Sequence, residues 1–462
     1  MNRRTLLIIS AVVLIFTVVG GVYWFLSKKT VPIVSVPTPT FPGSSGGISS
    51  SGGGVSGGGA PSMNNGFKPG SGAPLPRLYE LHNLPVAGVG FYETGKGKTL
   101  AVRTRYMEKG LGNIFETPVD TFVESRISNE THPQVAEAIW GNNGNSVIFR
   151  FLDNKNDGLI KTHLLNLTIG ATSLPVGTTT PDQQNSFLKT EEIFLPDYIS
   201  FASAAADMSD NFFFLKETGG PVVGYNTDFK DRKESEIFNS EFTEWLPQYP
   251  SKNLITLNTK PSANVPGYLF FLNPKTKAVS RVLGEVNGLT TSTNSDGSFV
   301  LYSETVNKVP QVSLFDVTKN TKYPLPIQTI ADKCVWSLKD KNTAFCAVPQ
   351  SLPQADYPDK WYQGVFGFID SLWQVNSLTH TATKIMDPGT YGAPGLDMTN
   401  LTLSSDDSYL LFINKDTGNP WVYRLTEIAP NPTTNTTTTT PTTTPTPTVL
   451  PSVIPSDMQK IK

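Results

Sequence analysis

The dominant pattern in this chain is a phrase of apolar strand, tight polar turn and second apolar strand, which occurs seven times. Short runs rich in Val, Phe, Tyr, Leu and Thr between Asn-Gly, Asp-Gly or Pro predict β-strands. Most neighbouring copies recur at roughly 40–50 residues, which is the period of propeller blades. The copies are Val86–Arg103, Ala136–Phe151, Ser203–Leu215, Phe242–Leu257, Leu289–Tyr302, Cys334–Val348 and Met398–Phe412. The pattern therefore predicts an all-β fold, a seven-bladed β-propeller over residues 77–428.

A third strand follows several of these hairpins, for example Gln311–Val317 and Trp421–Leu425. The segment Arg77–His82 precedes the first full copy, and we expect it to add the outer strand of the last blade. Such pairing ties the two ends of the ring together and removes exposed sheet edges. A β-sandwich or a pair of smaller β domains is the alternative, but the regular period favours one closed ring.

The N-terminal region breaks the pattern with an apolar run, Thr5–Leu26, that carries no charged residue. At ~1.5 Å per residue, a helix of this length spans a ~30 Å hydrocarbon core. Its length, its aromatic far end and the lack of a small-residue cleavage site favour an uncleaved anchor over a cleaved signal peptide. We predict a cytoplasmic stub at 1–4 and a transmembrane signal anchor at 5–26. Everything after Leu26 is expected to be extracytoplasmic, at the cell surface or in the periplasm.

Two low-complexity segments flank the predicted propeller. Residues 27–76 are rich in Gly, Ser and Pro, and residues 429–462 are rich in Thr and Pro. Neither composition buries enough apolar surface to fold. The first is predicted to be a disordered linker that holds the propeller off the membrane. The second is predicted to be a disordered tail, either a plain spacer or a glycosylated stalk.

Charge and cysteine content limit the partners and the covalent chemistry. The net charge is −2 and the pI is about 6.1, so the basic surface that nucleic-acid capture normally needs is not expected. The two cysteines, Cys334 and Cys346, flank one polar turn. In an oxidising compartment they could form a cross-strand disulfide. The alternative is two small buried core residues.

Two of the hairpins carry a family resemblance. Asn294–Tyr302 (NSDGSFVLY), followed by Gln311–Asp316, resembles the S-x-D-G repeat of TolB-like and WD-repeat-like propellers. Ser404–Phe412 is a second match, with Asp407 in place of the glycine. The layout is similar to that of membrane-anchored propeller proteins of bacteria. Because these motifs are structural, the resemblance implies a fold and a bacterial origin and says little about a ligand.

Residues that usually mark catalytic sites are scattered along the chain. Four histidines occur: His82, His132, His163 and His380. None lies near a second one at metal-ligand spacing, so neither a metal site nor a cofactor is predicted. Asp153–Gly158 resembles a calcium loop but has Lys and Leu where ligands belong, which favours a hairpin turn. Asp296 and Asp406 are expected to cap turns through side-chain to backbone hydrogen bonds. No catalytic residue is assigned.

The insertion Gln354–Asp370 interrupts the repeat and is the strongest candidate for recognition. It carries four aromatic residues: Tyr357, Trp361, Tyr362 and Phe366. Loops on rigid scaffolds often carry function, and aromatic side chains dominate binding hot spots. The alternative is a loop that folds down to cover a blade or to plug the channel.

These observations favour a membrane-tethered binding or scaffold module for a protein or a cell-envelope component. One alternative is a hydrolase that acts on envelope glycans or peptides through carboxylates in the propeller channel. Another is a structural surface protein whose Thr/Pro-rich tail matters more than its ring. Whether the protein is an enzyme is left open, with a binding role favoured.

Overall fold

A computed structural model of the chain describes residues 67–69, 74–153, 159–168 and 187–426. The predicted signal anchor, most of the predicted linker and all of the predicted tail lie outside these residues. The segment Asp153–Gly158 lies outside them after Asp153. Among the residues described, no helix is both long and apolar enough to cross a membrane.

The described residues form seven four-stranded antiparallel sheets. The first strand of the chain is β1 (Leu78–Glu80). Blade 1 contains β2 (Val86–Thr94), β3 (Ala101–Glu108), β4 (Ile114–Pro118) and β5 (Ser125–Arg126). Blade 2 contains β6 (Val135–Gly141), β7 (Ser146–Asp153), β8 (Leu159–Thr168) and β9 (Lys189–Phe194). Blade 3 contains β10 (Ile199–Ala204), β11 (Asn211–Glu217), β12 (Val222–Asp228) and β13 (Ser235–Ser240).

The remaining blades follow the same order of strands. Blade 4 contains β14 (Trp245–Ser251), β15 (Leu254–Thr259), β16 (Pro266–Leu272) and β17 (Val279–Asn287). Blade 5 contains β18 (Thr290–Thr293), β19 (Phe299–Val306), β20 (Val309–Asp316) and β21 (Thr321–Pro324). Blade 6 contains β22 (Cys334–Trp336), β23 (Thr343–Pro349), β24 (Asp370–Asn376) and β25 (Thr381–Met386). Blade 7 contains β26 (Met398–Leu403), β27 (Tyr409–Asn414), β28 (Pro420–Arg424) and β1. The described helices are α1 (Asp359–Tyr362) and three 3₁₀ turns, Gly97–Thr99, Ala331–Lys333 and Pro388–Tyr391.

Ring closure joins the two ends of the propeller in blade 7. Strand β1 pairs with β28 in antiparallel register, with Leu78 opposite Tyr423 and Glu80 opposite Trp421. The expectation that Arg77–His82 supplies the last outer strand is therefore confirmed. The seven-bladed propeller is confirmed as well, and each of the seven sequence copies supplies the first two strands of one blade.

The cores lie between neighbouring blades, where the apolar faces of two sheets meet. Phe345 and Leu372 of blade 6 pack with Leu403 and Phe412 of blade 7, for example. The innermost strands come closest near the axis of the ring. A Cβ atom at Gly90 on β2 would lie 2.5 Å from the Cβ of Trp140 on β6, so only glycine fits there.

The inner hairpins carry the turn chemistry expected from the sequence. Asp296 Oδ1 accepts a hydrogen bond from the Ser298 amide at 3.0 Å, and Asp406 Oδ1 accepts one from the Ser408 amide at 3.0 Å. Both predicted turn caps are confirmed. The turns also bind the next blade, since Lys341 Nζ lies 2.6 Å from Asp296 Oδ2.

Cys334 and Cys346 lie directly opposite each other on β22 and β23. The structure joins them by a disulfide with an S–S distance of 2.09 Å. This bond links the inner two strands of blade 6 immediately after Lys333, a residue that organises the site described below.

Candidate functional site

The insertion between β23 and β24 lies on one face of the ring, which we call the connection face. This face carries the links from the outer strand of one blade to the inner strand of the next, and the opposite one is the hairpin face. The insertion contacts two neighbouring blades. Thr305 Oγ1 of blade 5 donates to the Tyr357 carbonyl at 2.7 Å, and the Ala263 amide of blade 4 donates to Asp359 Oδ2 at 2.7 Å. It is therefore fixed at several points along its length.

The structure places the four aromatic residues predicted for binding in different environments. Tyr357 and Trp361 are buried and Phe366 is half-buried, together with Phe368 and Ile330. Only Tyr362 remains exposed. Their burial matches the alternative in which the loop folds down onto the blades. Tyr357 and Trp361 pack with Phe368 and Ile330 in a small hydrophobic core of their own.

This small core covers three fully buried charged residues: Lys333, Asp370 and Asp397. We call them the Lys–Asp–Asp centre. Lys333 Nζ lies 2.8 Å from Asp370 Oδ2 and also contacts Asp397 Oδ1. Trp361 Nε1 donates to Asp397 Oδ2 at 2.8 Å, and Lys333 Nζ lies 5.0 Å from the ring centroid of Trp361. The insertion is thus bonded directly to this buried ion group.

The centre contains one cation, Lys333, and two carboxyl groups, those of Asp370 and Asp397. The pKa of Asp370 is perturbed in this setting. Burial raises the pKa of Asp370 to about 6, although Lys333 and the Met398 amide lower it. The centre is enclosed by protein, so it cannot reach a dissolved substrate. Its arrangement is that of a structural anchor for the insertion.

The central channel is lined by the innermost strands of the blades. Two cavities of about 250 and 460 Å³ that share lining residues lie along it, with walls that mix Ser, Thr and Gln with apolar residues. Among the described lining residues, the carboxylates are Asp332 in the first cavity and Glu137 in the second. They belong to blades 6 and 2, which are not neighbours. Glu137 Oε2 is also bonded to Arg150 at 3.0 Å.

Asp332 is a channel-wall carboxyl whose pKa is raised. Asp332 is exposed where it lines the first cavity, and desolvation by the surrounding protein raises its pKa to about 6. The hydroxyl of Tyr362 donates a hydrogen bond to Asp332. Although the side chain of Tyr362 is partly exposed, desolvation of its hydroxyl raises its pKa well above the usual value, with the Asp332 charge as the next cause. The two residues connect the insertion to the channel.

A second group of ionisable residues lies at the outer rim between blades 1 and 2. Glu130, His132 and Glu192 each place a potential metal-ligating atom within 4.8 Å of those of the other two. His163 Nδ1 lies 2.6 Å from Glu192 Oε1. This group was missed at the level of sequence because metal ligands were sought only close together in the sequence. The Glu130-x-His132 pair was the one local signal, and the other members come from paired strands.

Three solved structures illustrate what the chain is similar to. An oligogalacturonate lyase in complex with manganese shares 11% identity over 74% of this chain and 99% of that one, with a TM-score of 0.44. TolB from Acinetobacter baumannii shares 8% identity over 65% and 79%, with a TM-score of 0.37. The Cps50 (Swd1) β-propeller domain from Myceliophteria thermophila shares 9% identity over 76% and 100%, with a TM-score of 0.43. The matches include TolB and a WD-repeat propeller, the two kinds of propeller that the sequence resembles.

These likenesses are too distant to support any argument about function, and the propeller assignment rests on the strand order itself. No protein-family model matches the chain. No curated protein gives a significant match either.

Proposed function

We propose that the protein is a membrane-tethered, extracytoplasmic β-propeller that binds a protein or cell-envelope partner through the outward side of its insertion. The observation that carries this proposal is the two-sided character of the insertion. Its inner side is fixed by Trp361 and the Lys–Asp–Asp centre. Its outer side exposes Tyr362 by 41%, Val365 by 63% and Ile369 by 55%.

Single exposed apolar residues are common on any protein surface. Several on one fixed loop are typical of binding sites. Val306 and Val265 are also exposed. Val306 follows Thr305 in the sequence and Val265 lies close after Ala263, and Thr305 and Ala263 are the residues that bond to the insertion. A rigid apolar loop loses little conformational entropy on binding, which favours affinity.

Site-specific photo-cross-linking tests this surface. The full chain in its own membranes would carry a photoreactive phenylalanine at Val365 or, as a control, at Leu378 on the hairpin face of the same blade. Both positions are more than 60% exposed, at 63% and 64%. We expect a discrete cross-linked product from Val365 alone. No product at Val365, or the same products at both positions, would refute the proposed surface.

The tether is a separate part of the proposal and rests on the apolar run Thr5–Leu26. An alkaline phosphatase fused after Lys462 should be active only if the C-terminal side is extracytoplasmic. The matched control is a fusion from which residues 5–26 have been deleted. It should lose both membrane association and phosphatase activity. Activity that is independent of the run would contradict the predicted orientation.

A second candidate function is a hydrolase that acts on envelope glycans or peptides, and Asp332 is the observation that favours it. A carboxyl with a pKa of about 6 that lines the channel is suited to general acid–base chemistry near neutral pH. Chromogenic glycosides and peptides should then be cleaved with a pH profile that Asp332→Asn abolishes and Asp340→Asn, in a hairpin turn, leaves intact. Cleavage that survives Asp332→Asn, or no cleavage of any probe, would remove this candidate.

A further inference from the structure

We propose that Glu130, His132 and Glu192 form a binding site for a divalent transition-metal ion such as Zn²⁺ or Mn²⁺. The site is independent of the proposed binding surface, because it lies at the outer rim between blades 1 and 2. Glu130 and His132 belong to the connection between β5 and β6. Glu192 belongs to β9, the outermost strand of blade 2.

The spacing of the side chains leaves room for an ion and excludes direct bonding. His132 Nε2 lies 3.8 Å from Glu130 Oε2, and the other ring nitrogen, Nδ1, lies 3.7 Å from Glu192 Oε1. An imidazole coordinates an ion through one nitrogen, so Nε2 and Glu130 Oε2 form the nearer pair and Glu192 has to turn toward them. Both distances exceed those of N–H···O hydrogen bonds, which are about 2.7–3.2 Å. The three ligating atoms nevertheless lie within 4.8 Å of one another.

Two of these atoms are buried without a hydrogen-bond partner, namely Glu130 Oε2 and His132 Nε2. Buried polar atoms are almost always paired, and an unpaired set calls for an explanation such as a bound ion. Here the two atoms face each other across the gap. A cation between them satisfies both at once.

Neighbouring residues hold the carboxylates in the way that outer-shell residues hold metal ligands. His163 Nδ1 lies 2.6 Å from Glu192 Oε1, and the Thr190 hydroxyl donates to Glu130 Oε1. Such partners fix the orientation of ligating groups and tune their affinity. Each glutamate therefore has one anchor, and Glu130 keeps its second oxygen for the ion.

An apolar wall strengthens the attraction of the site for a cation. The ring of Phe149 lies 4.6 Å from that of His132, and those of Phe151 and Phe194 lie 4.9 and 4.4 Å from that of His163. A lower local dielectric raises the energy of two close carboxylates that lack a counter-charge. Lys161, which lines the same cleft, is already paired with Asp197 at 2.6 Å.

The donor set indicates the class of metal. Imidazole and carboxylate together suit Zn²⁺, Mn²⁺ or Fe²⁺, whereas Ca²⁺ and Mg²⁺ prefer oxygen alone. With bonds of about 2.0–2.2 Å, ligand atoms around Zn²⁺ stand roughly 3.3–3.6 Å apart. The three atoms lie within 4.8 Å of one another, so they have to approach by roughly 1–1.5 Å, and Glu192 is the exposed member of the three. A cleft of about 570 Å³ adjoins His132 and leaves a coordination position open to solvent or a ligand.

Metal titration of the full-length protein in detergent tests the proposal. After removal of metal with a chelator, Zn²⁺ or Mn²⁺ alone is added and followed by calorimetry and by thermal unfolding. We expect saturable binding of one ion and a rise in Tm. Glu130→Gln, which preserves size and the bond to Thr190, and His132→Gln should each weaken binding at least 100-fold. His163→Gln should weaken it about 10–100-fold, as outer-shell changes do.

The matched control is His380→Gln, because His380 stacks on Tyr323 in another part of the ring. It should bind the ion like the unmodified protein. Absence of saturable binding in the unmodified protein overturns the proposal, as does binding that Glu130→Gln and His132→Gln leave intact. If Tm rises only on acidification and is unaffected by metal, the group is a protonated His132 held between two carboxylates, and the metal site is refuted.

Discussion

The inner hairpins and the insertion of blade 6 are both polar-rich interruptions of apolar strands, yet they are built in opposite ways. In the hairpins, Asp296 and Asp406 bond to amides two residues away. In the insertion, Trp361 bonds to Asp397, which is 36 positions distant, and Lys333 bonds to Asp397 across 64 positions. The hairpins combine these local caps with exposed contacts to the next blade, such as Lys341 to Asp296, whereas the insertion is held by buried, distant partners. Changes in the two regions should therefore differ greatly in their effects.

The largest effect is expected from Lys333→Met, which removes the cation that, among the described residues, is bonded to both Asp370 and Asp397. Breaking a buried pair leaves uncompensated charge and typically costs about 3–5 kcal/mol. Urea unfolding of the purified protein measures the loss. The control is Lys339→Met at an exposed position of the neighbouring hairpin, where a change near zero is expected. Equal stabilities of the two variants would mean that the centre does not hold the insertion.

A smaller effect is expected from Trp361→Phe. The ring is kept, but Asp397 Oδ2 loses the donor that now lies 2.8 Å away. Asp397 Oδ2 keeps the Phe368 amide at 3.1 Å, so the cost is that of one hydrogen bond to a charged group, about 1.5–3 kcal/mol. Unfolding in urea gives the value, and Trp373→Phe, a half-buried tryptophan on β24, is the comparison. A loss no greater than that of Trp373→Phe would assign Trp361 to packing alone.

The pH dependence of stability should reveal Asp370. Folded Asp370 keeps its proton up to a pH of about 6, whereas an unfolded Asp releases it near 4. Between these values the folded state binds more protons, so this residue's contribution to stability declines as pH rises. The slope is at most about 1.4 kcal/mol per pH unit. The free energy of unfolding is measured against pH for the unmodified protein and for Asp370→Asn, and the difference between the two curves isolates the contribution of Asp370. A difference that grows with pH would contradict the assigned direction.

The smallest effect is expected in a hairpin. Asp296→Ala removes a turn cap and an exposed pair with Lys341. The loss should be about 1 kcal/mol, because surface pairs contribute little and the amide can bond to water. Thermal unfolding is sufficient to measure it, with Asp406→Ala as a second hairpin. Losses that match Lys333→Met would erase the distinction between the two regions.

The same distinction explains what the sequence could predict. Strand positions, turn caps and the closing strand at Arg77–His82 follow from local patterns that recur, so the fold was predictable. The burial of Trp361 was not, because its partner Asp397 lies in the link to the next blade. The sequence also could not predict the group of Glu130, His132 and Glu192, because that group depends on how blade 2 folds beside the preceding link.

Hydrogen exchange across blade 6 tests the central claim, that the insertion is a fixed part of the propeller held by the Lys–Asp–Asp centre. The Phe368 amide donates to Asp397 Oδ2 at 3.1 Å and the Trp361 amide to the Pro358 carbonyl at 3.1 Å. Peptides over residues 357–368 should exchange nearly as slowly as those of β23, and Lys333→Met should accelerate them selectively. Exchange at the rate of an unprotected loop in the unmodified protein would contradict the account.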